Sequence, residues 1–174
     1  WLATFHNGIM KSKTPYEKGK SLEFVSVHPS SGGGSKTVLC ALKALGGDLW
    51  FGGQDGTLTY YSKFNGRLSV RKLRLPDNSL NSSAVWSLFQ DSRHRFWVGT
   101  ANALYFFDER DNNLRLVKKN LSVVRCITET SDRSIWAGTD NGLFRFDTTA
   151  AGKMMIRKGY EHQLPHLSDY SVRS

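Results

Sequence analysis

Five histidines, two cysteines and five tryptophans are the residues through which this 174-residue chain could do chemistry. His162 and His166 stand four apart, the spacing at which two imidazoles on one helix face can hold a metal. Pro165 lies between them and is incompatible with that helix. They therefore read as loop histidines; the other three are His6, His28 and His94. No Gly-x-Ser-x-Gly elbow, phosphate loop or paired-cysteine metal motif is present. The reading is a non-enzymatic chain with no cofactor and no metal.

Four of the tryptophans recur in one pattern: Trp1–Ile9 reads WLATFHNGI, Trp50–Leu58 WFGGQDGTL, Trp97–Leu104 WVGTANAL and Trp136–Leu143 WAGTDNGL. The Trp-to-Trp spacings are 49, 47 and 39 residues. Ten residues before the later three stand Cys40, Ser87 and Cys126, and two residues earlier Val38, Val85 and Val124. Small residues at one phase read as a tight packing spot. Cys40 and Cys126 share that phase two units apart, too far for the roughly 4.4–6.8 Å Cα separation a disulfide needs. Free, buried thiols are expected. Because every unit carries the tryptophan, Trp1, Trp50, Trp97 and Trp136 are expected in the core between units, with Gly52, Gly99 and Gly138 beside them.

The elements that carry these residues follow from pattern. Val85–Gln90 is an apolar, β-branched and aromatic run, hence a strand. A polar turn leads to a second strand at Phe96–Thr100, a third at Leu104–Asp108 and a fourth at Leu114–Lys119. Gln54-Asp55-Gly56 and Asp140-Asn141-Gly142 supply the positive φ that tight hairpins need, whereas Ala103 predicts a different or strained turn. No stretch shows a 3.6-residue apolar period. Four antiparallel strands per unit of this length predict an all-β chain, a β-propeller fragment of about four blades. The blades are placed at 1–27 (incomplete), 37–75, 84–119 and 123–159, with the start of a further blade at 170–174 and a flexible loop at 28–36. Two arrangements fit: part of a propeller of roughly six to eight blades, or a four-bladed ring closed by Tyr170–Ser174. No signal peptide and no membrane span is visible.

The stretch Val85–Thr100 (VWSLFQDSRHRFWVGT) with Leu104–Asp108 (LYFFD) resembles the two-component regulator propeller repeat. So does Val124–Thr139 (VRCITETSDRSIWAGT) with Leu143–Asp147 (LFRFD), and Leu75-Pro76 and Leu164-Pro165 match the family's lead-in. The resemblance implies the extracytoplasmic, periplasmic sensor region of a hybrid two-component receptor. It implies an oligosaccharide signal, neighbouring blades and sensor domains as partners, and a homodimeric receptor whose kinase lies outside this chain. The alternative is an interaction or dimerisation propeller without a small ligand.

Ligand residues should vary where the scaffold does not. The position after the opening valine does so, as Leu39, Trp86, Arg125 and Arg173. In propellers, ligands commonly sit over one face of the central channel. The adjoining loops here are Asn78–Ser83, Asn120–Ser122, His166–Tyr170 and the turns at His6-Asn7, Gln54-Asp55, Ala101-Asn102 and Asp140-Asn141. A tryptophan can stack on a sugar ring, and two arginines can fork onto a carboxylate or sulfate, which makes an acidic glycan a candidate.

The charge narrows this. The chain has 24 basic and 15 acidic residues, a net +9. Ten of the basic residues fall on expected fourth strands: Arg67, Arg71, Lys72, Arg74, Arg115, Lys118, Lys119, Lys153, Arg157 and Lys158. Setting them aside leaves 14 basic against 15 acidic. Charges on a blade's open edge discourage edge-to-edge pairing. The pattern reads as edge protection, with no nucleic-acid footprint.

Overall fold

The computed structural model describes residues 1–29, 32–72, 84–108, 113–148 and 154–159, and every regular element among them is a strand. Four antiparallel sheets follow one another along the chain. The first has three strands, β1 (Leu2–Ala3), β2 (Ile9–Ser12) and β3 (Phe24–Val27). The second has β4 (Val38–Lys43), β5 (Leu49–Gly53), β6 (Thr57–Tyr61) and β7 (Leu68–Lys72). The third has β8 (Val85–Gln90), β9 (Arg95–Thr100), β10 (Ala103–Asp108) and β11 (Asn113–Lys119). The fourth has β12 (Val124–Glu129), β13 (Ile135–Thr139), β14 (Gly142–Thr148) and β15 (Met154–Gly159). Strand order within each sheet is chain order, the up-and-down arrangement of a propeller blade. The chain is an all-β propeller.

The first strands β4, β8 and β12 pack on one another, and β7, β11 and β15 lie at the opposite edge of their sheets. Those edge strands carry Arg71, Lys72, Arg115, Lys118, Lys119, Arg157 and Lys158. Arg67 immediately precedes β7, while Arg74 and Lys153 lie outside the described residues, as do Leu75-Pro76 and Leu164-Pro165. The second strands are covered on both faces: β9 is buried from Phe96 through Thr100. Such burial explains their near-continuous apolar sequence.

The core lies between blades. Trp50 and Leu58 of the second blade share one cluster with Val85, Phe96 and Val98 of the third. Trp97 and Leu104 of the third share another with Leu121, Val124 and Ile127 of the fourth. Trp50 is stacked against Tyr60 at 5.1 Å and tilted against Phe96 at 4.7 Å. Trp1 and Trp136 are only half-buried, which departs from the core expectation for all four repeats. Trp1 still packs on Tyr61 of the next blade, at 4.6 Å.

A glycine and a small polar residue set the spacing of these clusters. A Cβ at Gly52 would stand 2.5 Å from Val85 Cγ1 of the next blade and 2.6 Å from Cys40 Sγ. A Cβ at Gly99 would collide with Ser87 Oγ and stand 2.7 Å from Val124 Cγ1. The same small residues reach across: Cys40 Sγ donates to Val85 O at 3.5 Å, and Ser87 Oγ to Val124 O at 2.8 Å. In the fourth blade Gly138 pairs with Cys126 in the same register. Neither Cys40 nor Cys126 forms a disulfide, but each is half-buried rather than buried. Burial of its sulfur still pushes the Cys40 thiol up to about 12, against a smaller opposing bond from the Gly52 backbone.

A second link closes the other end of the inner strands. Leu45 N donates to Gln90 Oε1 at 2.7 Å. Ser92 N and Oγ donate to Glu129 Oε2 and Oε1 at 2.8 and 2.9 Å. Gln90 and Glu129 hold the same repeat position, the last residue of the first strand. The turn they grip is also repeated. Gly47, His94 and Arg133 occupy one left-handed position, with φ of 91°, 62° and 64°. Asp91, fully buried, braces that turn in the third blade. It accepts from Arg93 N and Arg95 N at 2.9 Å each, Arg95 Nε at 2.6 Å and Trp97 Nε1 at 2.8 Å.

Of the two expectations for the turn at Ala103, different or strained, the structure shows the first. Ala103 has no positive φ. Thr100 Oγ1 instead donates to Ala103 O and accepts from Ala103 N, at 3.0 and 3.1 Å. Thr139 makes the first of these bonds to Gly142 in the fourth blade.

Two outcomes follow from this packing. Gly99→Ala forces Ser87 and Val124 apart and should lower the unfolding free energy by about 1–3 kcal/mol, read from the denaturant midpoint. The folded state holds the Cys40 thiol protonated above its unfolded value. Stability should therefore fall as pH rises from the unfolded value of 9.0 toward about 12. Wild type minus Cys40→Ala, followed by denaturation across that range, isolates this slope from other titrating groups.

Candidate functional site

The position after the opening valine has a backbone reason to vary. In three successive blades the first strand skips one residue in register against the second. Val38 pairs with Gly53 and Cys40 with Gly52; Val85 with Thr100 and Ser87 with Gly99; Val124 with Thr139 and Cys126 with Gly138. Leu39, Trp86 and Arg125 are thus the extra residues of three equivalent β-bulges. A bulge leaves its residue out of the ladder and re-aims its side chain.

Two of those residues meet. The Arg125 guanidinium lies 4.4 Å from the Trp86 ring centroid, a cation–π contact from the fourth blade to the third. Asp140, in the turn between β13 and β14, takes the same guanidinium in a bidentate pair: Nε to Oδ1 at 2.8 Å and Nη2 to Oδ2 at 2.9 Å. The Arg125 and Asp140 side chains are 22% and 28% exposed. The bonds from Asp140 raise the guanidinium pKa further above its ordinary value, against a smaller opposing effect of burial.

Leu39 and Trp86 are each half-buried. Arg173 lies outside the described residues, as do the loops Asn78–Ser83 and His166–Tyr170. An acidic ligand held by two forked arginines needs Arg125 to be available, and in this structure its fork holds Asp140. The repeat pattern alone does not select Asp140. Its counterparts two turns back are Gln54 and Ala101, and only the register of Val124 with Thr139 places it opposite Arg125.

The remaining connections are structural. Asn120 and Ser122 have φ of 63° and 62° and bracket Leu121, which is fully buried and ties back through Leu121 N to Asn102 O at 3.1 Å. Cavities of about 480 and 580 Å³ lie beside the first sheet, one over His6 and His28 and the other over Trp1, Lys11 and Tyr16. Neither is lined by Trp86. Among the described residues no group of three His, Cys, Asp or Glu is placed to hold a metal. Among the same residues no helix is long and apolar enough to cross a membrane.

Residues 79–102 match the family model described as two component regulator propeller. They include the first two strands of the third blade, Trp86 and Gly99. No curated protein sequence matches the chain. Among solved structures, the chain is similar to the extracellular domain of a hybrid two component system from B. thetaiotaomicron, with TM-score 0.67 and 18% identity. That alignment covers 85% of this chain and 19% of the other. A second such domain from the same organism matches with TM-score 0.60 and 20% identity, over 100% of this chain and 22% of the other. A catalytically inactive virginiamycin B lyase from Staphylococcus aureus also matches, with TM-score 0.60 and 18% identity over 85% of this chain and 47% of that one. The chain thus spans about a fifth of the two-component domains and about half of the lyase. The chain is a β-propeller, and its residues 79–102 match the two-component regulator propeller repeat.

Proposed function

We propose that this chain is part of the periplasmic sensor region of a hybrid two-component receptor, and that it binds an oligosaccharide without transforming it. The observation that carries the reading is the Trp86–Arg125–Asp140 group. It joins an aromatic ring, a guanidinium and a carboxylate across two blades, at positions that the repeat leaves free to vary. The likeness to extracellular domains of two-component systems supports an extracytoplasmic setting. The fold alone does not choose between sensing and catalysis, since a lyase shares it. The group itself favours binding: its acid and its base are tied to each other in a charge-neutral pair, and neither is poised to move a proton. Ligand contact across the third and fourth blades would bias their packing, and through the remaining blades the neighbouring domain and the receptor dimer.

A second reading has its own observation. Phe64 is 99% exposed at the tip of the β6–β7 hairpin, and Leu45 is 65% exposed in the β4–β5 turn. Both loops lie at one end of the second blade, where a Cβ on Gly47 would meet Lys63 Cδ at 3.0 Å. An apolar pair of this kind suits a protein partner, as a dimerisation or scaffold propeller would need.

Calorimetric titration of the intact sensor region with a panel of plant, fungal and host glycans separates the readings. Trp86→Ala and Arg125→Ala should each weaken glycan binding about tenfold, the loss expected for one good stacking or charge-assisted contact. Unchanged affinity in both variants sinks the site. A dimer lost in Phe64→Ser with no glycan bound would favour the scaffold.

A further inference from the structure

We infer that the cavity over His6 and His28 is a second binding site, for a small ligand that carries an oxyanion: a carboxylate, sulfate or phosphate. The cavity measures about 480 Å³, within the roughly 300–1,000 Å³ usual for ligand clefts. It lies between the β1–β2 turn, the end of β3 and the residues that lead into β4. None of Trp86, Arg125 and Asp140 lines it. Three ionisable side chains do, His6, His28 and Lys36, and all three are nitrogen bases. Among the described residues no Asp or Glu joins them. A neutral sugar presents hydroxyls that donate as well as accept, and no carboxylate is there to receive them. An oxyanion only accepts, which matches an ammonium with three N–H donors and two imidazoles with one or two each. A metal cation finds no set of three His, Cys, Asp or Glu here. Elsewhere in the molecule Lys13, Arg95 and Arg125 are answered by Glu23, Asp91 and Asp140. The Lys36 ammonium has no acidic partner among the described residues.

The backbone fixes where these bases stand. Thr4 Oγ1 accepts from Asn7 N at 3.0 Å and donates to Gly8 O at 2.8 Å, which closes the turn that carries His6. Gly8 N donates to Lys36 O, and Val38 N to Thr4 O, each at 2.9 Å. The turn is thereby tied to the entry of β4. Gly8 allows this approach, with a φ of 67° and a position where a Cβ would stand 3.1 Å from Ser35 O. His28 follows Val27, which pairs with Ile9, the residue after Gly8. Three segments are thus joined by main-chain bonds, and each contributes one base. Gly8, Ile9 and Pro29 are buried and form the floor of the cavity, whereas His6, His28 and Lys36 are exposed and form its rim. A frame held by the main chain leaves the rim side chains free to turn toward a ligand.

The test titrates the intact sensor region by calorimetry with D-glucuronate, inorganic sulfate and inorganic phosphate, with glucose as the neutral control. The expected result is binding of at least one anion, silence from glucose, and an affinity that falls as salt is raised from roughly 20 to 500 mM. Binding of glucuronate alone identifies an acidic sugar as the ligand, and binding of sulfate or phosphate identifies the free ion. Lys36→Ala and His28→Ala change exposed residues and should each weaken the binding about tenfold, the loss of one hydrogen bond to a charged group. Trp86→Ala should leave it unchanged. Anion binding that both rim variants leave intact overturns the inference, as does binding that Arg125→Ala abolishes, which would move the anion to the other site. Glucose bound as tightly as glucuronate overturns it too. If no anion binds, the inference fails alone, because the glycan reading rests on the Trp86 and Arg125 variants.

Discussion

The contact on which the rest of the molecule depends is a valine seated on a glycine of the preceding blade. Val85 lies over Gly52 and Val124 over Gly99, so close that no Cβ fits between them. That approach brings each first strand within reach of the next and lets Cys40 and Ser87 donate to the valine carbonyls. A blade sheet standing alone would leave both faces wet. Stacked at this distance, β5, β9 and β13 lose most of their contact with water, and the large aromatics fill what remains. The small residue must be small because the glycine has given up the space. It must carry a donor because the valine carbonyl would otherwise be left without a partner in a partly buried place.

The same constraint makes the site. Valine and small residue are both fixed against the second strand, yet they sit two apart where the partner offers only one step. One residue must leave the ladder. Packing does not choose its identity, which is why Leu, Trp and Arg stand there in consecutive blades. The lock also brings successive bulges near one another, near enough for Arg125 to lie over Trp86. A scaffold position that is structurally free and spatially adjacent to its copies is the kind of place where recognition can change without cost to the fold.

What the sequence discloses follows that division. Features demanded by every blade were legible, because repetition turns a weak local signal into a strong one: the strands of Val85–Lys119, the tight turns, the small residue at Cys40, Ser87 and Cys126. Features set by a single pairing were not. Asp140 stands 15 residues from Arg125 and matches it only through hairpin register. Asp91 reads as one more turn residue, and only its burial shows it bracing Trp97 and Arg95 together. Gln90 and Glu129 bridge blades from a position where the second blade has Lys43, so no identity pattern announces them. Ala103 was half legible: the absence of glycine pointed to a different or strained turn, and only the structure shows that the Thr100 hydroxyl closes it without a left-handed residue.

The excess positive charge now divides into two unlike parts. Most of it lies along β7, β11 and β15, the outer edges of their sheets, where it repels a would-be pairing strand and needs no ligand to justify it. Arg125 is different in kind, being held on an aromatic face at the bulge of β12. There the charge is already answered by Asp140. The net +9 therefore does not by itself point to an anionic ligand.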